Sequence, residues 1–192
     1  MILKVFKYGH PALRRKGPRI ESITPEVKRL IADLSETMYA CKGVGLAAQQ
    51  VGIPLQLTVI DVRGVTDRPS SLELNGEPAD VFEFMPLVLI NPELKPVGDP
   101  VAGPEGCLSF PEMYAEIIRP EGVDVKAIDK NGKPVEFRCG GLLARAIQHE
   151  MDHLQGILFI DRMDKKTKEE LRPELEALQA ETKAELEESR NK

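Results

Sequence analysis

The chain has 192 residues, enough for one domain with a real core. Hydrophobic residues make up 42% and charged residues 30%, an ordinary balance for a water-soluble domain, and the formal net charge of −5 argues against a nucleic-acid binder, so no DNA is expected among the partners. The opening Met1-Ile2-Leu3-Lys4-Val5-Phe6-Lys7 is too short and too interrupted for a signal peptide, and no apolar run is long enough to span a bilayer, which predicts a cytoplasmic protein with no membrane partner.

In chain order, residues 2–6 read as a short strand. Thr24-Pro25-Glu26 has the form of a helix start: an N-cap hydroxyl, proline at the first helical position and an acid in the first turn. Val27, Leu30, Ile31, Leu34 and Met38 follow at helical spacing, which puts one face of residues 25–40 in the core, and Gly43-Val44-Gly45 ends the helix. Residues 55–62 read as a strand. Residues 63–86 are polar and turn-rich around Asn75-Gly76, a connection of a length that implies a lid, a hairpin excursion or a mobile loop. Residues 87–90 form another strand, ended by Asn91-Pro92, and 122–129 with 134–138 form a hairpin around residues 130–133. Gly140-Gly141 breaks the chain ahead of a helix whose Leu143, Ala144, Ile147 and Leu154 require burial. From Lys165 onward Glu, Lys, Leu and Ala dominate. Leu171, Leu175, Leu178 and Leu186 make a thin apolar stripe, with Pro173 near the start of a terminal helix that has a solvated face. A docking helix for a large partner is the alternative for this tail. The division expected is a catalytic domain over 1–164 and an attached charged helix over 165–192.

The chemistry concentrates in Gln148-His149-Glu150-Met151-Asp152-His153-Leu154-Gln155-Gly156. On a helix, His149 and His153 lie one turn apart on one face, close enough to share a metal ion. Glu150 projects at a different angle and reaches a water on the metal rather than the metal itself, the H-E-x-x-H arrangement of metal-dependent hydrolases. Catalytic sites of this kind take three protein ligands and keep one position open. In one peptidase pattern the third ligand falls at position 159, but Phe159 cannot bind metal. Glu170 or Glu174 would satisfy another pattern, although both lie in the charged tail, where a solvated acid is the plainer reading. Cys107, in Glu105-Gly106-Cys107-Leu108-Ser109, offers a thiolate, a strong ligand for a divalent transition metal; its plain alternative is a small buried hydrophobe. Three cysteines cannot all pair with one another, so a disulfide framework is not expected, and Cys41 and Cys139 read as ordinary thiols. His10 reads as a turn residue. In residues 43–50 two glycines and two alanines leave room for a ligand against the backbone, and a glutamine amide can donate to an anionic oxygen; a tight turn explains the small residues equally simply.

Together and in this order, residues 43–50, 105–109 and 148–156 resemble the motifs of the peptide deformylase family: G-φ-G-φ-A-A-x-Q, E-G-C-φ-S and Q-H-E-x-D-H-L-x-G, where φ is apolar. The likeness runs from the first strand to about Asp164 and includes Asp61-Val62 and Asn91-Pro92-Glu93-Leu94. The resemblance implies an α+β fold with antiparallel sheets packed around a central metal-binding helix, followed by a C-terminal helix. It implies removal of the formyl group from the N-terminal formyl-methionine of new polypeptides, with release of formate. It also implies one divalent ion per chain, Fe2+ with Zn2+, Ni2+ or Co2+ as substitutes, held by Cys107, His149 and His153. Glu150 would be the general acid/base, and Gln50 with the Leu108 backbone N–H would hold the formyl oxygen. The backbone around Val44 and Gly45 would pair with the substrate peptide, and Leu142 and Ala146 would line the substrate pocket. The expected partners are N-formyl-methionyl nascent polypeptides and, transiently, the ribosome, in a monomer or weak homodimer.

The chain departs from the family pattern in places. The 63–86 segment is longer than in compact members. Tyr114 stands where some members carry arginine, and Gly103 and Arg145 stand where some carry apolar residues. Three readings compete: a peptidase, which would cleave unformylated peptides; a metal-holding or redox-sensing protein without turnover; and a deformylase-like protein that has lost activity, which the intact Glu150 and Gln50 disfavour.

Overall fold

In a computed structural model that describes Met1–Asn191, Thr24 caps the first helix, α1 (Pro25–Ala40), accepting from the Val27 N–H at 3.3 Å. Its face carrying Leu30, Ile31, Leu34 and Met38 is buried against Leu46, Leu57, Val59 and Ile90, and each such side chain contributes about 1.5–3 kcal/mol. The helix stops earlier than the Gly43-Val44-Gly45 stretch. Lys42 adopts a left-handed conformation (φ 55°), and the Gly43 N–H turns back to Met38 O. Residues 2–6 are not a strand. The Leu3 N–H donates to Thr37 Oγ1 and the Phe6 N–H to Gln50 O, so this segment finds scattered partners instead of a ladder.

Among the described residues, seven strands form one antiparallel sheet: β1 (Gly45–Ala47), β2 (Leu57–Ile60), β3 (Ser70–Leu74), β4 (Glu77–Ala79), β5 (Leu87–Cys107), β6 (Phe110–Ile128) and β7 (Pro134–Gly140), in the spatial order β1-β2-β5-β6-β7-β3-β4. The 63–86 connection is a hairpin excursion. β3 and β4 turn at Asn75-Gly76, and β3 pairs with β7, which brings the excursion into the sheet. Asn91-Pro92 does not end its strand: β5 runs on for 21 residues with a register shift there. Asn91 takes φ 52°, and its side-chain amide accepts from the Ile20 N–H at 2.8 Å and donates to Ile20 O at 2.7 Å, so the chain is irregular at Asn91 without losing its polar partners. β5 and β6 thus make one long hairpin that turns at Leu108-Ser109.

α2 (Gly141–Leu154) follows Gly140 and is the centre of the molecule; eleven of its fourteen residues are buried, Leu143, Ala144, Ile147 and Leu154 among them. α3 (Lys165–Arg190) packs Leu175 and Leu178 on Leu13, Phe110, Ile117 and Phe159 and leaves its other faces in water. Pro173 lies inside α3 and not near its start, and the helix continues through it. Lys192, the last residue of the expected C-terminal segment, lies outside the described residues. None of the described helices is long and apolar enough to cross a membrane.

Candidate active site

Two elements bring together the side chains that could hold a metal. Cys107 is the last residue of β5, at a register shift that re-aims the strand beside its turn. His149 and His153 sit one turn apart on α2, their ring centroids 5.0 Å apart. Cys107 Sγ lies 3.3 Å from His153 Nε2, and one ligand atom from each of the three residues falls within 4.8 Å of the others. A tetrahedral site with ordinary metal–sulfur and metal–nitrogen bonds separates S and N by about 3.5 Å, so this donor set fits a divalent transition metal. His10 is not part of the cluster: its Nδ1 accepts from the Ala12 N–H in a short 3-10 turn. Glu170 and Glu174 are exposed on α3.

The surroundings bias the ligands. His149 Nδ1 is 2.8 Å from Glu105 Oε1, and a carboxylate there favours a proton on Nδ1, which would leave Nε2 for a metal. Arg119 donates to Glu105 through Nε (2.6 Å) and Nη2 (2.9 Å), and its Nη1 reaches Asp152 Oδ2 at 2.9 Å. Burial pushes the Glu105 carboxyl up, yet His149 and Arg119 outweigh it and hold that carboxyl at about 2. Burial holds His153 well below its ordinary value, in the neutral form that a metal would require.

A cavity of about 400 Å3 opens over the cluster. Every residue expected at the site lines it except His153, which is more deeply buried. Glu150 enters it from α2, its Oε2 buried without a partner, and burial raises its carboxyl to about 7. A Cβ on Gly45 would come within 2.5 Å of Glu150 Oε1, so β1 approaches the carboxylate as closely as only glycine allows. Gln50 is buried. Its Oε1 accepts from the Ala47 N–H at 2.9 Å, which points Nε2 toward Ser109 Oγ (3.2 Å) and Cys107 Sγ (3.7 Å). β1 is an edge strand, paired on one side with β2 and, among the described residues, with no strand on the other.

The family model described as polypeptide deformylase matches residues 2–169. The chain belongs to the peptide deformylase family. It is 51% identical over 178 residues to the peptide deformylase of Methylacidiphilum infernorum (isolate V4), covering 93% of both chains. It is 41% identical over 186 residues to that of Opitutus terrae, covering 96% of each. Among solved structures it is similar to the peptide deformylase of Synechococcus elongatus in complex with actinonin, with TM-score 0.74 and 39% identity over 94% of this chain and 85% of that one. It is likewise similar to Arabidopsis thaliana peptide deformylase 1B, with TM-score 0.80 and 37% identity over 95% and 93%. The protein is a metal-dependent hydrolase that removes the formyl group from the N-terminal formyl-methionine of newly made polypeptides and releases formate. The expected fold class, antiparallel sheet around a metal-binding helix with a C-terminal helix, is the one observed.

Within the deformylase frame, four groups around the ligands went unassigned in the sequence: Glu105, Arg119, Asp152 and Ser109. Glu105 carried a signal, because it precedes Cys107 by two residues on a strand and period two gives both the same face. Arg119 carried none: it stands opposite Val101 in the β5–β6 register, and only its long side chain reaches Glu105.

Proposed function

We propose that Cys107, His149 and His153 hold the catalytic ion and that Glu150 moves the protons of deformylation. The observation carrying this reading is the convergence of one thiol and two imidazoles under a cavity that Glu150 enters with an unpartnered oxygen. When bound, the ion supplies Lewis-acid polarisation of the formyl carbonyl and a water of lowered pKa. Glu150 takes a proton from the attacking water and delivers it to the departing amine. Burial raises this carboxyl without metal and a bound cation would lower it again, so the two effects together leave it able to take and give a proton. The Gln50 Nε2 and the Leu108 backbone N–H donate to the formyl oxygen as charge builds there; one such donor is worth about 2.7–4 kcal/mol. The open edge of β1 at Gly45, with Val44 before it, pairs with the extended substrate backbone, and Leu142 and Ala146 line the pocket for its first side chain.

Fe2+ is the ion we assign, with Zn2+, Ni2+ and Co2+ able to substitute at a thiolate–imidazole site. Residues 1–164 form the catalytic domain and 165–192 an attached charged segment that carries α3, in a monomer or weak homodimer that works in the cytoplasm, where thiols such as the exposed Cys41 stay reduced. The mixed charge of α3 limits any ribosome contact to a transient one. The test is formate release from formyl-Met-Ala-Ser by the Ni2+ or Fe2+ enzyme under argon, with the acetylated peptide as control. Rapid release from the formyl peptide alone is expected, and should vanish in Glu150→Ala with the metal retained. Full turnover by that variant would remove Glu150 from its role, and unchanged metal content in Cys107→Ala would remove the thiolate from the ligand set.

A further inference from the structure

Arg145 stands one helical turn before His149 on α2 and has no part in the roles above. The residue is buried, at 7% exposure. Nη1 donates to Glu105 Oε2 at 2.9 Å and to Ile117 O at 2.8 Å, and Nη2 donates to Val101 O at 2.9 Å. One side chain therefore ties α2 to both strands of the β5–β6 hairpin. The shared carboxylate is divided between its partners: Oε2 receives Arg145 and Arg119, while Oε1 receives Arg119 and the His149 ring. Without Arg145, Oε2 keeps one of its two guanidinium partners. The Arg119 fork alone would then hold the carboxylate in place for the His149 ring.

Gly103 belongs to the same unit. A Cβ there would lie 2.9 Å from Cζ, Nε and Nη2 of Arg145, so the guanidinium rests flat against the glycine. A guanidinium is the end of a flexible side chain and can give way, but here its shift strains its bonds to Val101 O, Ile117 O and Glu105.

We propose that Arg145 is a positioning residue for the His149 imidazole, acting through the Glu105 carboxylate, and that Gly103 is the cradle that admits it. The physical reason is that a ligating imidazole is aimed and made more basic by the acceptor on its other nitrogen, so slackening that acceptor weakens the ligand. Arg145 also borders the cavity, as Leu142 and Ala146 do, which gives a plain competing role as a wall of the substrate pocket.

The proposal rests on the reading of His149 as a metal ligand, and the experiment separates the two. Release of Ni2+ into excess chelator is timed for the full-length wild type, Arg145→Leu, Gly103→Ala, the double variant and His149→Ala. Arg145→Leu and Gly103→Ala should each release the ion about 10–100-fold faster. The double variant should be no faster than Arg145→Leu, because Gly103→Ala has nothing to displace once the guanidinium is gone. The visible absorption of the Co2+ forms should shift in both single variants while KM stays within about twofold. Gly103→Ala keeps every charge, so it carries the test alone if Arg145→Leu does not fold. Wild-type release rates, an additive double variant, or a raised KM with unchanged release and spectrum would each overturn the proposal; the last makes Arg145 a pocket wall. Full metal retention by His149→Ala would instead overturn the ligand reading.

Discussion

A carboxyl buried beside a metal cluster is costly to ionise, and Glu150 carries that cost in the metal-free protein. Its folded value, about 7, lies above the ordinary 4.5. The folded state therefore holds this proton more tightly than the unfolded chain. The associated stability is fully present below 4.5 and is lost as pH rises through about 7. Glu150→Gln should make the metal-free protein more stable than wild type at pH 8, by about 3 kcal/mol, and hardly different at pH 4. Urea unfolding at the two pH values checks this, and equal stability at both would mean that the carboxylate is solvated. The same variant should lose about 10²–10⁴-fold in kcat. A bound cation favours the ionised form, so the acid limb of the holoenzyme's rate profile should fall below pH 7. The thiols give a second residue-scale test. Burial pushes Cys139 up to about 12, whereas Cys41 is exposed. Iodoacetamide at pH 8 should label Cys41 in the native protein and leave Cys139 untouched until it unfolds, and peptide mapping reads the result.

At the scale of elements, much of the site was legible because it lies within single periods of regular structure. His149, Glu150 and His153 share a helix, and the four-residue spacing carries their geometry. What stayed hidden depends on how strands meet. Residues 2–6 have the composition of a strand but no neighbour to pair with, and Asn91-Pro92 reads as a stop because local rules do not register an asparagine amide bonding to Ile20 seventy-one residues away. Arg119 is invisible for the same reason. Pro173 is a different case: proline usually marks a first turn, but Leu175 and Leu178 anchor α3 to the core on the far side of it, and packing overrides the local preference. The ring leaves Glu169 O without its helical donor. Pro173→Ala should therefore stabilise the protein by about 1–3 kcal/mol, read from the urea midpoint at unchanged slope. An unchanged midpoint would mean that the break in the helix is already compensated.

For the whole molecule, the proposed ligand set couples distant parts of the chain. Cys107 comes from the tip of the long hairpin and His153 from α2, forty-six residues on. An ion held by all three binds the folded state and not the unfolded one, so stripping it should lower the melting temperature. The loss should grow with free metal in the reference sample, to about 4 kcal/mol at a thousandfold excess over Kd. Calorimetry with and without chelator checks this; a melting temperature independent of metal would mean that the three side chains do not act together. The complete antiparallel sheet was not recoverable from local patterns. The hairpin of β3 and β4 was one of several readings for its segment, and its pairing with β7 is a long-range choice.

The bare side of β1 has one further consequence. Peptide groups are alike in every polypeptide, so a chain held by its amides and carbonyls is gripped without regard to what decorates it. Such a rail is indifferent to composition, and discrimination is left to the reacting end, where the pocket begins. That division of labour suits a catalyst whose clients have a common start and little else in common.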